Sequence, residues 1–264
     1  LAAEDVPAID HVDTRELVTS IREGGAMRCG IAVGDDVTPE DAKAELSECK
    51  GMSEHVDIGK RVTTVDHTTY GDGDTEVALI DCGAKMSIVE SLVDRDATVH
   101  VLPYDTTPGE LATLDPDLLF ISNGPGDPAN FEAAETLIDE YVGDLPIAGI
   151  CLGQQVVARA LGGTTEKMAF GHRGVNQPVR DLDSGQVVMT TQNHGYTVGE
   201  PGDELDVKQV NVNDGTAEGL ANEDLDVLTR QYHPEAHPGP HDSLGFFDDV
   251  LAMTAENRNV VADD

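Results

Sequence analysis

Apolar runs alternate with helical periods through most of this chain, and the alternation predicts its secondary structure. Short apolar runs typical of buried strands occur at Val77–Cys82, Thr98–Pro103, Leu118–Ser122 and Pro146–Ile150. Helical periods follow at Lys85–Arg95, at Phe131–Val142 with Asn130 as a candidate cap, and after Cys151, where the helix ends before Gly162. Strands that alternate with helices over short connections indicate a parallel sheet with helices on both faces.

The pattern after Gly171 becomes more strand-like. Strands are predicted at Gln186–Thr191, Leu205–Val212 and Asp226–Tyr232. Asp242 or Ser243 can cap a last helix that runs to about Asn257. We therefore predict an α/β fold with a mixed, largely parallel central sheet and helices on both faces.

The first 65 residues are less regular than the rest of the chain. Thr14 can cap a helix through Arg22, and Pro39 begins a second helix to about Lys50. Residues 66–76 are polar, contain glycine and lack apolar periodicity, which is typical of a linker. We predict a short first unit at 1–65, a linker at 66–76 and one large domain at 77–264.

Charge is the unusual property of the composition. The chain has 51 acidic and 16 basic residues, a formal charge of −35, and only six residues are lysine. The acidic residues are scattered through segments that also contain apolar residues, so they do not indicate a disordered acidic tail. Excess surface carboxylate with little lysine is typical of a protein adapted to strong salt, because salt screens the self-repulsion. We therefore predict a halophilic source.

The same composition excludes two classes of partner. Nucleic acids and anionic membranes would be repelled, and no apolar run approaches the ~20 residues of a membrane span.

No basic and apolar signal segment opens the chain, so we expect a cytoplasmic protein. The four cysteines contain no CxxC pair and match no zinc spacing, which indicates free thiols.

Cys151 is the candidate nucleophile. It stands between Gly149 and Gly153, where a predicted strand meets a predicted helix, and this Gly-x-Cys-x-Gly turn is a cysteine version of the nucleophile elbow. The flanking glycines let the backbone bend sharply and expose the side chain at the apex. A helix N-terminus at that point favours a negatively charged thiolate. The alternative is a buried cysteine that acts as a small apolar residue.

A base for this nucleophile is available in His233, which directly follows a predicted strand. In an extended segment, residues two apart point the same way, so Glu235 can lie beside His233 and hold its imidazole in the right tautomer. The pattern predicts a triad of Cys151, His233 and Glu235.

A metal site is the alternative use of these histidines, because His233, His237 and His241 recur every four residues. Pro234 and Pro238 lie between them and break any helix that could gather the histidines on one face. We therefore predict no metal site.

Two further segments end predicted strands and could contact a ligand. Ser122–Pro128 is a glycine-rich turn whose N–H groups could hold an anion, although no Gly-Lys-Ser/Thr follows as in a phosphate loop. Gly124 and the N–H of Leu152 would make an oxyanion pair, whereas the loop taken alone reads as a tight turn. In Gln192–Tyr196, Asn193 and exposed backbone could bind a polar ligand, and a lone histidine such as His194 is more often structural.

Taken together, these segments resemble a known family. Gly149–Gln155 with His233–Glu235 is similar to the class I (triad-type) glutamine amidotransferases. Further stretches resemble, within that family, the small glutamine-hydrolysing subunits of carbamoyl-phosphate synthetases. These stretches are Ile9–Arg15, Asp81–Lys85, Ser122–Pro128, Lys167–Val179, Gln192–Tyr196 and His233–Asp242.

The resemblance implies a chemistry. Cys151 attacks the side-chain carboxamide of glutamine, His233 moves protons, and Glu235 orients His233. The N–H groups of Gly124 and Leu152 stabilise the oxyanion. The same resemblance implies that the rest of the glutamine is bound by Gly126, Gln155, Asn193, Gly195 and Tyr196.

The resemblance also implies a partner: a large subunit that uses ATP to make carbamoyl phosphate from bicarbonate, for arginine and pyrimidine synthesis. Ammonia released here would pass to that large partner. ATP and Mg²⁺ are expected there, and no cofactor is expected in this chain, because it shows no phosphate loop.

Two departures from the family pattern lead to further expectations. Position 154 is glutamine where the family often has histidine. The chain opens at Leu1 without methionine, so we expect a fragment whose residues 1–65 are the end of the small subunit's N-terminal domain. A serine of that domain that helps to hold glutamine would then be absent.

Three other functions are weighed against this one. An amidotransferase for anthranilate or guanylate synthesis would keep the triad but should lack the Phe170–Val179 stretch. A cysteine hydrolase that cleaves γ-glutamyl tails would need a more open cleft. A non-catalytic regulatory subunit would be expected to have lost Cys151, His233 or Glu235, and all are present.

Overall fold

The computed structural model describes residue 3 and residues 6–261, with side chains described up to residue 255, and is built on a mixed sheet of ten strands. The strands are β1 (Thr68–Tyr70), β2 (Thr75–Asp81), β3 (Ala97–Pro103), β4 (Leu118–Ile121), β5 (Ile147–Ile150), β6 (Thr165–Asp181), β7 (Val187–Val198), β8 (Asp206–Asn211), β9 (Ala217–Asn222) and β10 (Val227–Arg230). The helices are α1 (Thr14–Gly24), α2 (Pro39–Glu48), α3 (Ile58–Val62), α4 (Met86–Val93), α5 (Pro108–Ala112), α6 (Glu132–Tyr141), α7 (Leu152–Ala160) and α8 (Gly245–Val261).

The strand order across the sheet is β1-β3-β2-β4-β5-β10-β9-β8-β6-β7. Strands β3, β2, β4, β5 and β10 are parallel, and antiparallel strands extend both edges. The predicted α/β fold with a mixed sheet is confirmed, with parallel pairing in the centre. No helix in the described part of the chain combines the length and apolar character of a membrane span.

The core lies on both faces of the parallel strands because their side chains alternate in direction. Ala78 and Ile80 of β2 pack into the cluster that contains residues of α6 and α7. Val77 and Leu79 pack into the cluster that contains α4 and α8. These side chains are fully buried, and each large one contributes about 2 kcal/mol of transfer free energy. Helices therefore cover both faces, as the sequence predicts.

Two predicted helix caps are wrong. Asp13 caps α1, because its carboxylate accepts a hydrogen bond from Glu16 N at 2.9 Å, and Thr14 is already helical. Asn130 belongs to a short 3₁₀ turn, and α6 begins after Phe131 without a side-chain cap. In both cases the N-cap of the helix lies one residue away from the predicted cap.

Several strands do not follow from the apolar pattern. Strand β1 lies inside the predicted linker 66–76, where exposed residues pair antiparallel with β3. Strand β6 is 17 residues long, mostly exposed, and has register shifts against β7 after Lys167 and after Gly174. Strand β9 is buried along most of its length but contains glutamate and glycine. Pairing with neighbouring strands stabilises these segments more than their own periodicity does.

Two parts of the first unit, at Ala26 and at Ser53, contact the sheet. Ala26 N donates to Ala169 O at 2.9 Å, and Lys167 Nζ donates to Ser53 Oγ at 3.0 Å. Because Lys167 and Ala169 belong to β6, these contacts bring residues 26 and 53 to the β6–β7 hairpin. That position places them beside the carboxyl end of β5, where Cys151 stands.

Candidate active site

Cys151 occupies the turn between β5 and α7. Its backbone has φ 56° and ψ −102°, a conformation that residues with a side chain rarely adopt. Cys151 N donates to Arg230 O at 2.7 Å, which ties the turn to the neighbouring parallel strand β10. A strained residue held at a strand-to-helix turn is the geometry of a nucleophile elbow.

The glycines that flank Cys151 allow this turn because they permit close backbone contacts. A Cβ at Gly149 would lie 2.8 Å from Gly153 C. A Cβ at Gly153 would lie 2.2 Å from Ile121 O, so any side chain there would push α7 away from β4. Strand β5, helix α7 and strand β4 therefore pack in this way only with glycine at both positions.

His233 and Glu235 lie next to Cys151. His233 Nδ1 is 2.7 Å from Glu235 Oε1, and Glu235 is 1% exposed. His233 N donates to Thr191 O at 2.8 Å, which fixes the segment after β10 against β7. Because Nδ1 faces the carboxylate, Nε2 is the ring nitrogen available to Cys151.

The ionisation of His233 is set by these neighbours. Burial alone would lower the pKa of His233, but hydrogen bonds and charge interactions with Cys151 and Glu235 raise it to about 10. Burial would raise the pKa of Glu235, but its interactions with His233 and Lys85 keep that pKa below its usual range. The arrangement thus favours an imidazolium ion that lies between the Cys151 sulfur and a carboxylate.

Lys85 is a site residue that the sequence analysis does not single out. Its Nζ lies 2.8 Å from Glu235 Oε1 and donates to Ala236 O at 2.7 Å. Lys85 follows β2, so the contact joins segments far apart in the sequence. The only sequence signal was its place in the Asp81–Lys85 stretch at the carboxyl end of a predicted strand.

Gly124 and Leu152 lie on the other side of Cys151. A Cβ at Gly124 would lie 2.2 Å from Cys82 O and 2.6 Å from Leu152 Cδ2. Only glycine therefore fits there, and its backbone approaches the first turn of α7 closely. Leu152 is the first residue of that helix, whose N–H groups point away from the helix body.

Cys151 opens into a cavity of about 530 Å³. The residues predicted from the sequence to bind glutamine also line it, with the exception of Leu152. These lining residues are Gly124, Gly126, Gln155, Asn193, Gly195 and Tyr196. Residues 26–29, Leu46 and residues 49–53 also line the cavity, although no sequence pattern connects them with the site.

Gln155 and Tyr196 are already engaged by protein groups. Gln155 Nε2 donates to Tyr196 O at 2.8 Å and to Gln231 Oε1 at 3.0 Å. Both N–H bonds of this amide are used, which leaves its oxygen for a ligand. The Tyr196 hydroxyl donates to Asp127 Oδ2 at 2.9 Å, and burial together with Asp127 raises the pKa of this phenol. Their positions are therefore fixed before a ligand binds.

A second cluster of ionisable groups lies next to Tyr196. His172, His194 and Glu218 bring one potential ligand atom each within 4.8 Å of one another. His172 Nε2, however, lies 2.8 Å from Asp214 Oδ2, and His194 Nδ1 donates to Tyr196 O at 2.7 Å. The other ring nitrogens are also engaged, because His172 Nδ1 lies 3.4 Å from Glu218 Oε1 and His194 Nε2 lies 3.1 Å from Gln192 Oε1. The cluster is therefore better described as an ionic and hydrogen-bonded network than as a cation site.

The sequence matches known proteins over most of its length. The family model for class-I glutamine amidotransferases matches residues 78–253. A carbamoyl phosphate synthase small chain from Halobacterium salinarum is 68% identical over 253 residues, which cover 96% of this chain and 71% of that protein. The corresponding small chain from Archaeoglobus fulgidus is 44% identical over 257 residues, with the same coverage of both chains.

A solved structure shares the fold at low identity. A putative GMP synthase protein from Thermoplasma acidophilum superposes with a TM-score of 0.62 at 19% identity, over 71% of this chain and 98% of that chain. This likeness concerns the fold alone, whereas the identities of 68% and 44% show a much closer relationship to the two small chains. The chain belongs to the class-I glutamine amidotransferase family and, within it, to the carbamoyl phosphate synthase small chains.

Proposed function

We propose that this protein hydrolyses glutamine and supplies the ammonia to a large chain that makes carbamoyl phosphate. The observation that carries the proposal is the contact of Cys151 with His233 at a nucleophile elbow that opens into the cavity. A thiol, a base and a carboxylate that orients the base are the parts that amide hydrolysis through a thioester needs.

The first half of the reaction forms the thioester. The Cys151 thiolate attacks the carboxamide carbon of glutamine, and negative charge develops on the amide oxygen. The N–H groups of Gly124 and Leu152 stabilise this charge. The His233 imidazolium then gives its proton to the leaving nitrogen, so the C–N bond breaks and ammonia departs.

The second half returns the enzyme to its starting state. His233, now neutral, takes a proton from water as the water oxygen attacks the thioester carbon. The C–S bond breaks, glutamate leaves, and the Cys151 thiolate again faces an imidazolium. Glu235 stabilises that imidazolium through Nδ1–H in both halves, and Lys85 holds Glu235 in place.

We infer a large partner chain because the relatives are named small chains of carbamoyl phosphate synthase and because glutamine hydrolysis supplies the ammonia for that synthesis. Carbamoyl phosphate synthesis needs ATP and Mg²⁺, and we assign both to the large chain. We assign the pathway to arginine and pyrimidine synthesis.

Ammonia release tests the proposal. The protein, with its large chain, should release ammonia from glutamine and form carbamoyl phosphate when bicarbonate and ATP are present. Free ammonia should replace glutamine in that synthesis. Synthesis from ammonia with no glutamine hydrolysis in the wild type would contradict the proposed role of this chain.

A further inference from the structure

Two histidines and a threonine converge at an edge of the sheet, outside the Cys151 cavity. His67 Nε2 lies 2.9 Å from His100 Nδ1. The Thr69 hydroxyl oxygen lies 3.3 Å from the first of these nitrogens and 3.1 Å from the second. None of the three residues lines the cavity at Cys151, so the mechanism proposed for glutamine hydrolysis does not use them.

Strand pairing accounts for this convergence. Thr69 of β1 lies directly opposite His100 of β3 in an antiparallel pair, so their side chains share one face of the sheet. His67 is two residues before Thr69 in an extended segment, and its side chain therefore lies on the same side. Because β1 belongs to the polar segment 66–76, the three side chains connect that segment to β3.

A carboxylate holds the other nitrogen of His100. His100 Nε2 lies 2.7 Å from Glu76 Oε2, and an ionised carboxylate can only accept a hydrogen bond, so the proton of the neutral ring is on Nε2. The lone pair of Nδ1 then faces His67. Histidines that bind a metal ion commonly donate their second N–H to a carboxylate, which orients the ring and raises its basicity.

His67 can present a second lone pair at the same point. Partial burial and the neighbouring His100 lower the pKa of His67, so its ring is mainly neutral at pH 7. A neutral imidazole can carry its proton on either nitrogen. With the proton on Nδ1, His67 Nε2 is free to bind a cation, and no proton has to be released first.

A second cavity gives cations access to this cluster. His67 lines a cavity of about 610 Å³. Three acidic residues also line it, Asp66, Asp105 and Glu110. Its lining, within the part of the chain that the structure describes, contains no lysine or arginine. Carboxylates around an opening raise the local concentration of cations, so the electrostatic potential here favours a metal ion.

We propose that His67 and His100 bind a divalent transition metal ion such as Zn²⁺, with the Thr69 hydroxyl and water as the remaining ligands. Zn²⁺ binds imidazole nitrogens at about 2.0–2.1 Å, so two ligands of a tetrahedral ion lie about 3.3 Å apart. The two ring nitrogens are 2.9 Å apart, and a separation of about 0.4 Å would admit the ion. The ion replaces the hydrogen bond between the rings and cross-links segment 66–76 to β3. Glu76 is a positioning residue for His100.

Zinc binding tests the proposal, measured by equilibrium dialysis and by thermal melts at fixed KCl. The wild type should bind one more equivalent of Zn²⁺ than His67→Gln. Its melting temperature should also rise more with Zn²⁺, because an ion that binds the native state stabilises it. Glu76→Gln keeps both ligands but loses the carboxylate that orients His100, so the affinity for Zn²⁺ should fall by about tenfold to hundredfold.

His55→Gln is the matched control, since it removes an exposed histidine that contacts Arg61 and not this cluster. It should bind as much Zn²⁺ as the wild type. Cysteine thiols also bind Zn²⁺, but they are present in every protein compared and cancel in the difference. Because His67 is exposed, its replacement should leave the fold intact, and Glu76→Gln provides a second measurement that keeps both histidines.

Equal amounts of bound Zn²⁺ in the wild type and His67→Gln would overturn the proposal. Loss of the ion in His172→Gln but not in His67→Gln would also overturn it, because the ion would then lie in the network beside Tyr196. None of these measurements depends on glutamine hydrolysis, so they can fail while the proposed function holds.

Discussion

Lys85 Nζ lies 2.8 Å from Glu235 Oε1, the same oxygen that lies 2.7 Å from His233 Nδ1. Glu235 is thus held by two cationic donors at one oxygen, while its Oε2 is buried without a hydrogen-bond partner among the described residues. The position of the carboxylate depends on Lys85 as well as on His233. Lys85 is therefore a positioning residue for the base.

Lys85→Met should lower kcat by about tenfold, because one charge-assisted hydrogen bond to Glu235 is lost. It should also move the acid limb of the pH–rate profile to higher pH. The pKa of Glu235 is lowered in part by Lys85, and its loss lets burial raise that pKa. Lys43→Met, at an exposed lysine near Glu40, is the matched control. A lower kcat with an unshifted acid limb would mean that Lys85 does not act through Glu235.

Cys151 should be the cysteine that a glutamine-like chloroketone labels, and excess glutamine should protect it. Cys82 and Cys151 are both buried, but of the two only Cys151 lines the cavity. Burial together with Asp81 also raises the pKa of the Cys82 thiol, so Cys82 should stay unlabelled. Cys29 and Cys49 are exposed and line the same cavity, which makes them the necessary comparison. Mass spectrometry of the labelled peptides would decide. Equal, unprotected labelling of the exposed cysteines would contradict the assignment.

Cys151→Ser should abolish glutamine-dependent synthesis of carbamoyl phosphate but leave ammonia-dependent synthesis unchanged. The hydroxyl is a far weaker nucleophile than a thiolate that faces an imidazolium, whereas the large chain's own site is untouched. Steady-state rates with glutamine and with ammonium chloride provide the measurement. Retained glutamine-dependent synthesis would place the nucleophile elsewhere.

His233→Asn should cost more activity than Glu235→Gln. General-base catalysis is worth roughly 10²–10⁴ in rate, and His233 moves the proton in both halves of the reaction. Glu235 only orients and stabilises the imidazole, so its loss should cost less. Because the two act as a unit, the double variant should be little worse than His233→Asn alone. Full glutaminase activity in His233→Asn would direct attention to His194 as the alternative base.

The residues that the sequence predicts are those whose relationships are local. Cys151 is marked by glycines two residues away on each side, and Glu235 is two residues from His233. Lys85 contacts Glu235 across most of the domain, and no local pattern gives that contact. The contribution of residues 49–53 to the cavity is likewise not predictable from the sequence, because it depends on how this segment contacts β6.

The strands also divide into those that a local sequence pattern predicts and those that depend on pairing with distant segments. The parallel strands are buried apolar runs, and their predicted bounds are within two residues of the observed ones. Strand β6 is polar and exposed along most of its length, so it carries neither an apolar run nor an alternating pattern. Its conformation depends on pairing with β7 and β8, which sequence periodicity does not report.

Salt should stabilise this protein strongly. With a formal charge of −35, carboxylate repulsion is screened over about 10 Å at 0.1 M salt and about 3 Å at 1 M. The melting temperature should therefore rise markedly between dilute buffer and molar KCl. Sucrose, an uncharged solute that also favours compact states, is the control and should have a much smaller effect. A melting temperature that does not change with KCl would refute adaptation to salt.

His172 should make the stability depend on pH above neutrality. Burial alone would lower the pKa of His172, but hydrogen bonds and charge interactions with Glu218 and Asp214 outweigh burial and raise it. The neighbouring His194 does not titrate in this range, because burial lowers its pKa to about 3. A group whose pKa is raised on folding binds a proton in the native state that the unfolded chain has released.

The stabilisation from His172 is therefore complete below its unfolded pKa of about 6.5 and is lost as pH rises through the higher folded value. His172→Gln removes this term, so the free energy of unfolding of the wild type should fall more steeply than that of the variant above about pH 6.5. The raised pKa of His233 affects both proteins alike and cancels in the difference. Urea titrations at fixed KCl from about pH 6 to 9 would measure both curves. Asp214→Asn should reduce the difference in slope between proteins with and without His172. Parallel curves for wild type and His172→Gln would contradict the prediction, because they would show that folding does not raise the proton affinity of His172.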